Sequence, residues 1–136
     1  MDLNRVLVKP FNKDRFEVAA DYEFAIDIPV KNLSITRDIV KGIIPRGYLT
    51  DGASIPRVFW CFYPPYRSEY FSACVIHDYL CSRAMHATSI KEAYKKADLV
   101  LYEAMKALGV SKITSFIFWQ WCDKFHFFKC LFKGYK

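Results

Sequence analysis

The chain has 136 residues, a formal charge of +6 and a hydrophobic share of 53%, with twelve Phe and nine Tyr. That length supports one core and not two comfortable domains, and so many aromatics exclude a disordered chain. The positive charge would draw phosphates or an anionic surface, but acids are interleaved with the bases and no arginine stripe or base-reading motif accompanies them, so nucleic-acid binding is disfavoured.

In chain order, the first fifty residues read as strand. "RFEVAADYEFAIDI" carries aromatic and branched residues in short alternating runs, and "LSITRDIVKGIIPRGYL" resumes the pattern after Pro29. Hairpins of an antiparallel sheet are the economical reading. The N-terminus, MDLNRVLVKPFNKDRF, has no apolar run of signal-peptide length, and five cysteines without a CxxC pair fit a reducing compartment; both lead to an expected cytoplasmic location in a host cell.

Residues 51–67 form a turn-rich segment. The chain enters it through "YLTDGASIPR", residues 48–57, where Asp51-Gly52 signals a turn and Pro56 a helix start. Thr50, Asp51, Ser54 and Arg57 crowd into this one stretch. Such polar groups either brace a loop or form one wall of a site, with Thr50, Ser54 and Arg57 as substrate-binding candidates.

From residue 68 to the end the period becomes helical. Ser68 is placed to cap a helix through "EYFSACVIHDYLCSR", with Phe71, Cys74, Val75, Tyr79 and Leu80 suited to burial. Ser89 is placed to cap a second helix, "IKEAYKKADLVLYEAMKAL", which Gly109 would stop. A third begins near Ser111. Strands followed by about three helices give an α+β fold, read as a single domain over 1–136. Residues 113–132 are apolar enough to raise the question of a membrane span, yet they contain Gln120, Asp123, Lys124, His126 and Lys129. Each charge at mid-bilayer costs about 2.5–3.5 kcal/mol, which argues against one.

Polar residues inside apolar helix patterns call for a reason. His77-Asp78 lies in "CVIHDYL" and Asp98 between Ala97 and Leu99. If the first two helices form an antiparallel hairpin about the loop near His86, His77 and Asp98 lie two to three turns from that loop and can face each other. The ordered set TDGASIPR, HDYL and a later AD resembles a family of uncharacterised proteins common in tailed bacteriophages and prophages, a domain of unknown function. The resemblance runs from about Pro45 to Gly109 and matches Thr50, Asp51, Gly52, Ser54, Pro56, Arg57, His77, Asp78, Tyr79 and Asp98. It implies a phage context and no established reaction.

Asp51, His77, Asp78 and Asp98 are groups that perform acid–base work, and Asp51, His77 and Asp98 are candidate ligands of a divalent metal ion. The His-Asp pair resembles in part the metal-dependent phosphohydrolases named for that dyad. Those carry an earlier His, which Asp51 would have to replace here. A structural brace, with Arg57 pairing Asp78 or Asp98, explains the same residues. Cys74, His77 and Cys81 share one helix face and offer zinc ligands, against the alternative of small apolar cysteines in a core. His86 and His126 read as loop or surface residues.

In the third helix, aromatics go round too much of the circumference to fill one core face. Trp119, Trp121 and Phe128 are the candidates for contact with a host or phage protein, another copy of the chain, or a peripheral membrane surface. Two functions follow as expectations. One is a phage accessory protein, virion-associated or acting on a host factor, that works by protein binding. The other is a metal-assisted hydrolase built on the Asp/His/Asp group.

Overall fold

The computed structural model describes residues 5–12, 15–29, 37–50 and 70–135. The architecture is α+β: five strands precede three helices in the order β1 (Val8–Asn12), β2 (Arg15–Val18), β3 (Tyr22–Pro29), β4 (Arg37–Ile44), β5 (Leu49–Thr50), α1 (Phe71–Ala84), α2 (Ile90–Ala107) and α3 (Lys112–Lys133). The strands form two small sheets rather than one. β1, β2 and β5 make an antiparallel three-stranded sheet, and β3 pairs with β4 alone in a continuous antiparallel register from Tyr22 opposite Ile44 to Pro29 opposite Arg37.

Alternation in β3 sets the position of the core. Tyr22, Phe24, Ile26 and Ile28 are buried while Glu23 and Ala25 point to solvent, as period-two patterning requires of a strand with one wet face. Opposite Phe24 stands Gly42, and the Phe24 ring comes within 3.1 Å of where a Cβ would sit. The residue is glycine because the ring occupies that space. The inner face of β3 packs on α2, whose Val100, Leu101, Ala104 and Met105 are all buried. Fully burying an aliphatic side chain of this size contributes about 1.5–3 kcal/mol, so this layer accounts for much of the fold's stabilisation.

α1 runs through the middle of the molecule. Phe71 through Ile76 are buried without a break, so its first half is covered all round, where the sequence reading expected a stripe. Ser68, the expected cap, lies outside the described residues; the helix begins at Phe71 with Tyr70 in the cap position and no side-chain cap. Val6 N–H donates to Ser72 Oγ at 2.9 Å and fastens the N-terminal segment to it. Only from His77 onward does α1 become partly exposed, and His77, Asp78 and Cys81 sit there.

α2 starts and stops, and α3 starts, where the sequence places them. Ser89 Oγ accepts from Glu92 N–H at 3.4 Å, and Ser111 Oγ accepts from Thr114 N–H at 3.2 Å. Between them Gly109 adopts φ +89°, which lets the chain reverse after one residue beyond the α2 terminus and lays α3 against α2. Among the described residues no helix is long and apolar enough to cross a membrane.

Candidate metal centre

Three helices each send polar side chains to one buried point. α1 supplies His77 and, one turn later, Cys81; α2 supplies Asp98; α3 supplies His126. Asp98 is 1% exposed, yet its carboxylate is not bare. Oδ1 lies 2.7 Å from His77 Nε2 and Oδ2 lies 2.9 Å from His126 Nδ1. A carboxylate only accepts, so both imidazoles donate to it, which fixes the Nε2–H form of His77 and the Nδ1–H form of His126. Cys81 Sγ closes the group at 3.4 Å from His77 Nε2 and 3.8 Å from His126 Nε2.

The ring of His126 is held from its flat side. Tyr94 stacks on it with centroids 4.1 Å apart and planes 9° from parallel. Tyr94 is itself pinned: Lys129 Nζ donates to its hydroxyl at 3.1 Å, and the hydroxyl lies 3.3 Å from Met85 Sδ. The hydrogen bond to Tyr94 is the main cause that raises the Lys129 pKa. Neighbouring side chains thus set the ring orientation at the cluster, as the surroundings of metal-ligating histidines commonly do.

Two chemistries compete for this geometry. Cys81, His126 and Asp98 stand in the thiol, imidazole, carboxylate order of a nucleophilic triad. Against that, burial pushes the Cys81 thiol well up and the Asp98 charge pushes it further. Cys81 also lies in the last turn of α1, at the negative end of the helix dipole, which disfavours a thiolate. A dication reverses each of these penalties, because a coordinating thiol is deprotonated outright. The four donor atoms lie within 4.8 Å of one another, with contacts of 2.7–3.8 Å. A tetrahedral zinc centre with bonds of 2.0–2.3 Å has edges of about 3.3–3.8 Å. The hydrogen-bonded contacts are shorter than these edges and the widest separation, up to 4.8 Å, is longer, so a zinc-sized ion would be accommodated by shifts of up to about 1 Å as hydrogen bonds give way to metal bonds.

Residues 30–121 match the family described as a protein of unknown function (DUF1353), about two thirds of the chain. The chain belongs to this family. The DUF1353 match takes in His77, Cys81 and Asp98 and ends before His126. Two relatives come from Sinorhizobium fredii (strain NBRC 101917 / NGR234). Uncharacterized protein y4jT is 39% identical over 77 residues, 54% of this chain and 20% of the relative, and uncharacterized protein y4iH is 41% identical over 64 residues, 46% of this chain and 24% of the relative. The chain thus covers a quarter or less of either relative's length. No solved structure matches.

Among the residues singled out from sequence, His77 and Asp98 meet as the helix-hairpin argument expects. Asp51, Ser54 and Arg57 lie outside the described residues, as does Cys61. Thr50 is buried at the end of β5. Asp78 points away from the cluster, where Tyr48 Oη donates to its Oδ2 at 3.4 Å. Of the cysteine trio, Cys74 is buried in the main core and Cys81 alone joins His77.

His126 requires a correction. It is 8% exposed at the centre of the cluster, not on a loop or surface. The misreading comes from its neighbours, since "KFHFFK" shows no clean apolar stripe from which an inward position could be read. The usable signal was the same counting that pairs His77 with Asp98. Applied to the turn at Gly109, it puts His126 within about two turns of the level of Asp98.

Trp119 is half-buried against Tyr102, at 5.2 Å between centroids, while Trp121 and Phe128 are on the exposed side of α3.

Proposed function

We propose that this DUF1353 chain is a metal-assisted hydrolase whose centre is a divalent cation, zinc by the character of the donors, held among His77, Cys81, Asp98 and His126. What carries the reading is the convergence of two imidazoles, a thiol and a carboxylate from three separate helices within 4.8 Å. Imidazole and thiol select zinc over magnesium or calcium, which prefer all-oxygen sets. Two histidines and a carboxylate are also the protein ligands of hydrolytic zinc sites; with Cys81 as a fourth ligand, water would enter as a fifth, an expansion that catalytic zinc allows. When bound, the cation would act as a Lewis acid and lower the pKa of a bound water. Asp98 and His126 both line a cavity of about 470 Å³ between α2 and α3, so a substrate has a route to the centre. Tyr94 keeps His126 oriented towards it.

The test is hydrolysis of chromogenic phosphate and carboxylate esters by the zinc-loaded chain, compared per folded molecule with chelated protein and with Asp98→Asn. Zinc-dependent turnover that Asp98→Asn abolishes is the expected result. Equal rates in all three samples would overturn the hydrolase reading.

A second reading, a phage or prophage accessory protein that binds a host or phage protein, is supported by the outer face of α3. Phe116, Trp121, Phe125, Leu131 and Phe132 are exposed there, Phe132 to 83%. A single small domain rarely leaves so much contiguous apolar side chain to water without a partner.

A further inference from the structure

We propose that the cavity between α2 and α3 binds an organic phosphate, a monoester with an aromatic or apolar body. The proposal deepens the hydrolase reading by naming its substrate class and rests on that reading for the reacting end only; the binding itself is read without metal.

The cavity has one wall on each helix. On α2, Lys91, Tyr94, Lys95 and Asp98 recur at the spacing of a single helix face, and all four line it. The α3 wall brings Lys124, Phe127 and Phe128. At about 470 Å³ the space is of the size that takes a small organic ligand.

Charge decides the ligand's sign. The Asp98 carboxylate is taken up by two imidazoles, and Asp123 sits 4.0 Å from Lys124. Lys91 and Lys95 make no ion pair or hydrogen bond among the described residues, although they stand one helical turn apart. Like charges at that spacing repel each other, and a bound dianion would turn the repulsion into attraction from both. Lysine is a point-charge partner for phosphate, satisfied without the planar fork that a carboxylate shares with arginine.

The rest of the wall decides the ligand's body. Phe127 and Phe128 are each about half exposed, at 49% and 52%, on the cavity side of α3. Inorganic phosphate would leave both rings in water, whereas an ester with a ring or alkyl group would cover them. The ligand would thus lie with its anion towards α2, its body on α3, and Asp98 and His126 beside it.

The probes are phenyl phosphate, inorganic phosphate and benzoate, titrated by calorimetry into wild type and into the Lys91→Gln, Lys95→Gln double variant. Both proteins are freed of metal by chelation for the titrations, and zinc content is measured on zinc-reloaded portions of the same preparations. The lysines are exposed, so the fold is expected to survive, as circular dichroism will show. Phenyl phosphate should bind more tightly than either other probe, and the double variant should weaken it by about tenfold or more while zinc content stays at the wild-type value. Inorganic phosphate binding as well as the ester overturns the ester assignment. Benzoate binding as well as the ester overturns the phosphate assignment. Affinity unmoved by the double variant removes the site from this cavity. Zinc bound at full stoichiometry alongside any of these failures leaves the metal centre standing, so the two readings fail separately.

Discussion

His126 Nδ1 stands 2.9 Å from Asp98 Oδ2, so an imidazole–carboxylate contact ties α3 to α2 at a depth where Asp98 is 1% exposed. The same carboxylate holds His77 of α1, which makes Asp98 the residue common to all three helices. Asp98→Ala would leave two donors without their acceptor at once. At about 1–3 kcal/mol for each stranded buried group, its urea midpoint should fall well below that of His77→Ala, which removes one contact at the more exposed edge. Equal midpoints for the two variants would mean that Asp98 does not join the helices.

The reversal between α2 and α3 offers a test of backbone alone. At Gly109 the φ is +89° and nothing lies within 4 Å of an added Cβ. Gly109→Ala therefore brings conformational strain without a clash and should cost about 1–2 kcal/mol. A neutral substitution, measured by chemical denaturation, would show that the turn relaxes freely and does not set the level of His126 against Asp98.

Alkaline pH should weaken the fold through two phenols. Burial pushes Tyr22 up to about 12, partly offset by Arg5, and burial followed by the Asp78 charge pushes Tyr48 up to about 12. Both favour the neutral form in the folded chain, whereas the unfolded chain ionises near pH 10. Their contribution is complete below about pH 10 and is lost as pH rises from there through 12. The buried thiol of Cys74 and the partly buried thiol of Cys122 are also raised, by burial first, and act in the same direction. Comparison with Tyr22→Phe, Tyr48→Phe isolates the phenols: the decline in urea midpoint between pH 10 and 12 should be shallower in the double variant. An unchanged slope would contradict the assignment.

How far the sequence disclosed all this depended on whether a residue's setting had a period. β3 alternates cleanly, and its inner face could be read directly. Ser89, Gly109 and Ser111 announce helix ends through chemistry that works locally, so those boundaries were legible too. The division into two sheets was not, because strand pairing is a long-range matter of which edges meet. α1 hid its role for the opposite reason: Phe71 to Ile76 are buried all round, so no face stands out. His77 and Asp98 were found by counting residues from a loop, while His126 was obscured by the phenylalanines beside it. Cys74 enters the main core and Cys81 the polar cluster because of what packs opposite each, and spacing on one helix carries no record of that.

The outer face of α3 makes a separate prediction. Leu131→Glu with Phe132→Glu replaces side chains that are 64% and 83% exposed, so stability should shift by no more than about 0.5 kcal/mol. Self-association, followed by light scattering against concentration, should drop. A wild type that is monomeric at every concentration, or a variant that associates equally, would count against this face as the contact surface between copies of the chain.

The most direct test of the metal centre is zinc bound per chain after dialysis, measured by elemental analysis on wild type, His77→Ala with His126→Ala, Cys81→Ala and, as a control, His86→Ala, whose residue is exposed in the loop between α1 and α2. One zinc per chain is predicted for wild type and His86→Ala. Cys81→Ala should hold it at least about tenfold more weakly, and the double histidine variant should hold none tightly. A wild type that retains no zinc, or a double histidine variant that retains as much as wild type, would contradict a metal centre at His77, Cys81, Asp98 and His126.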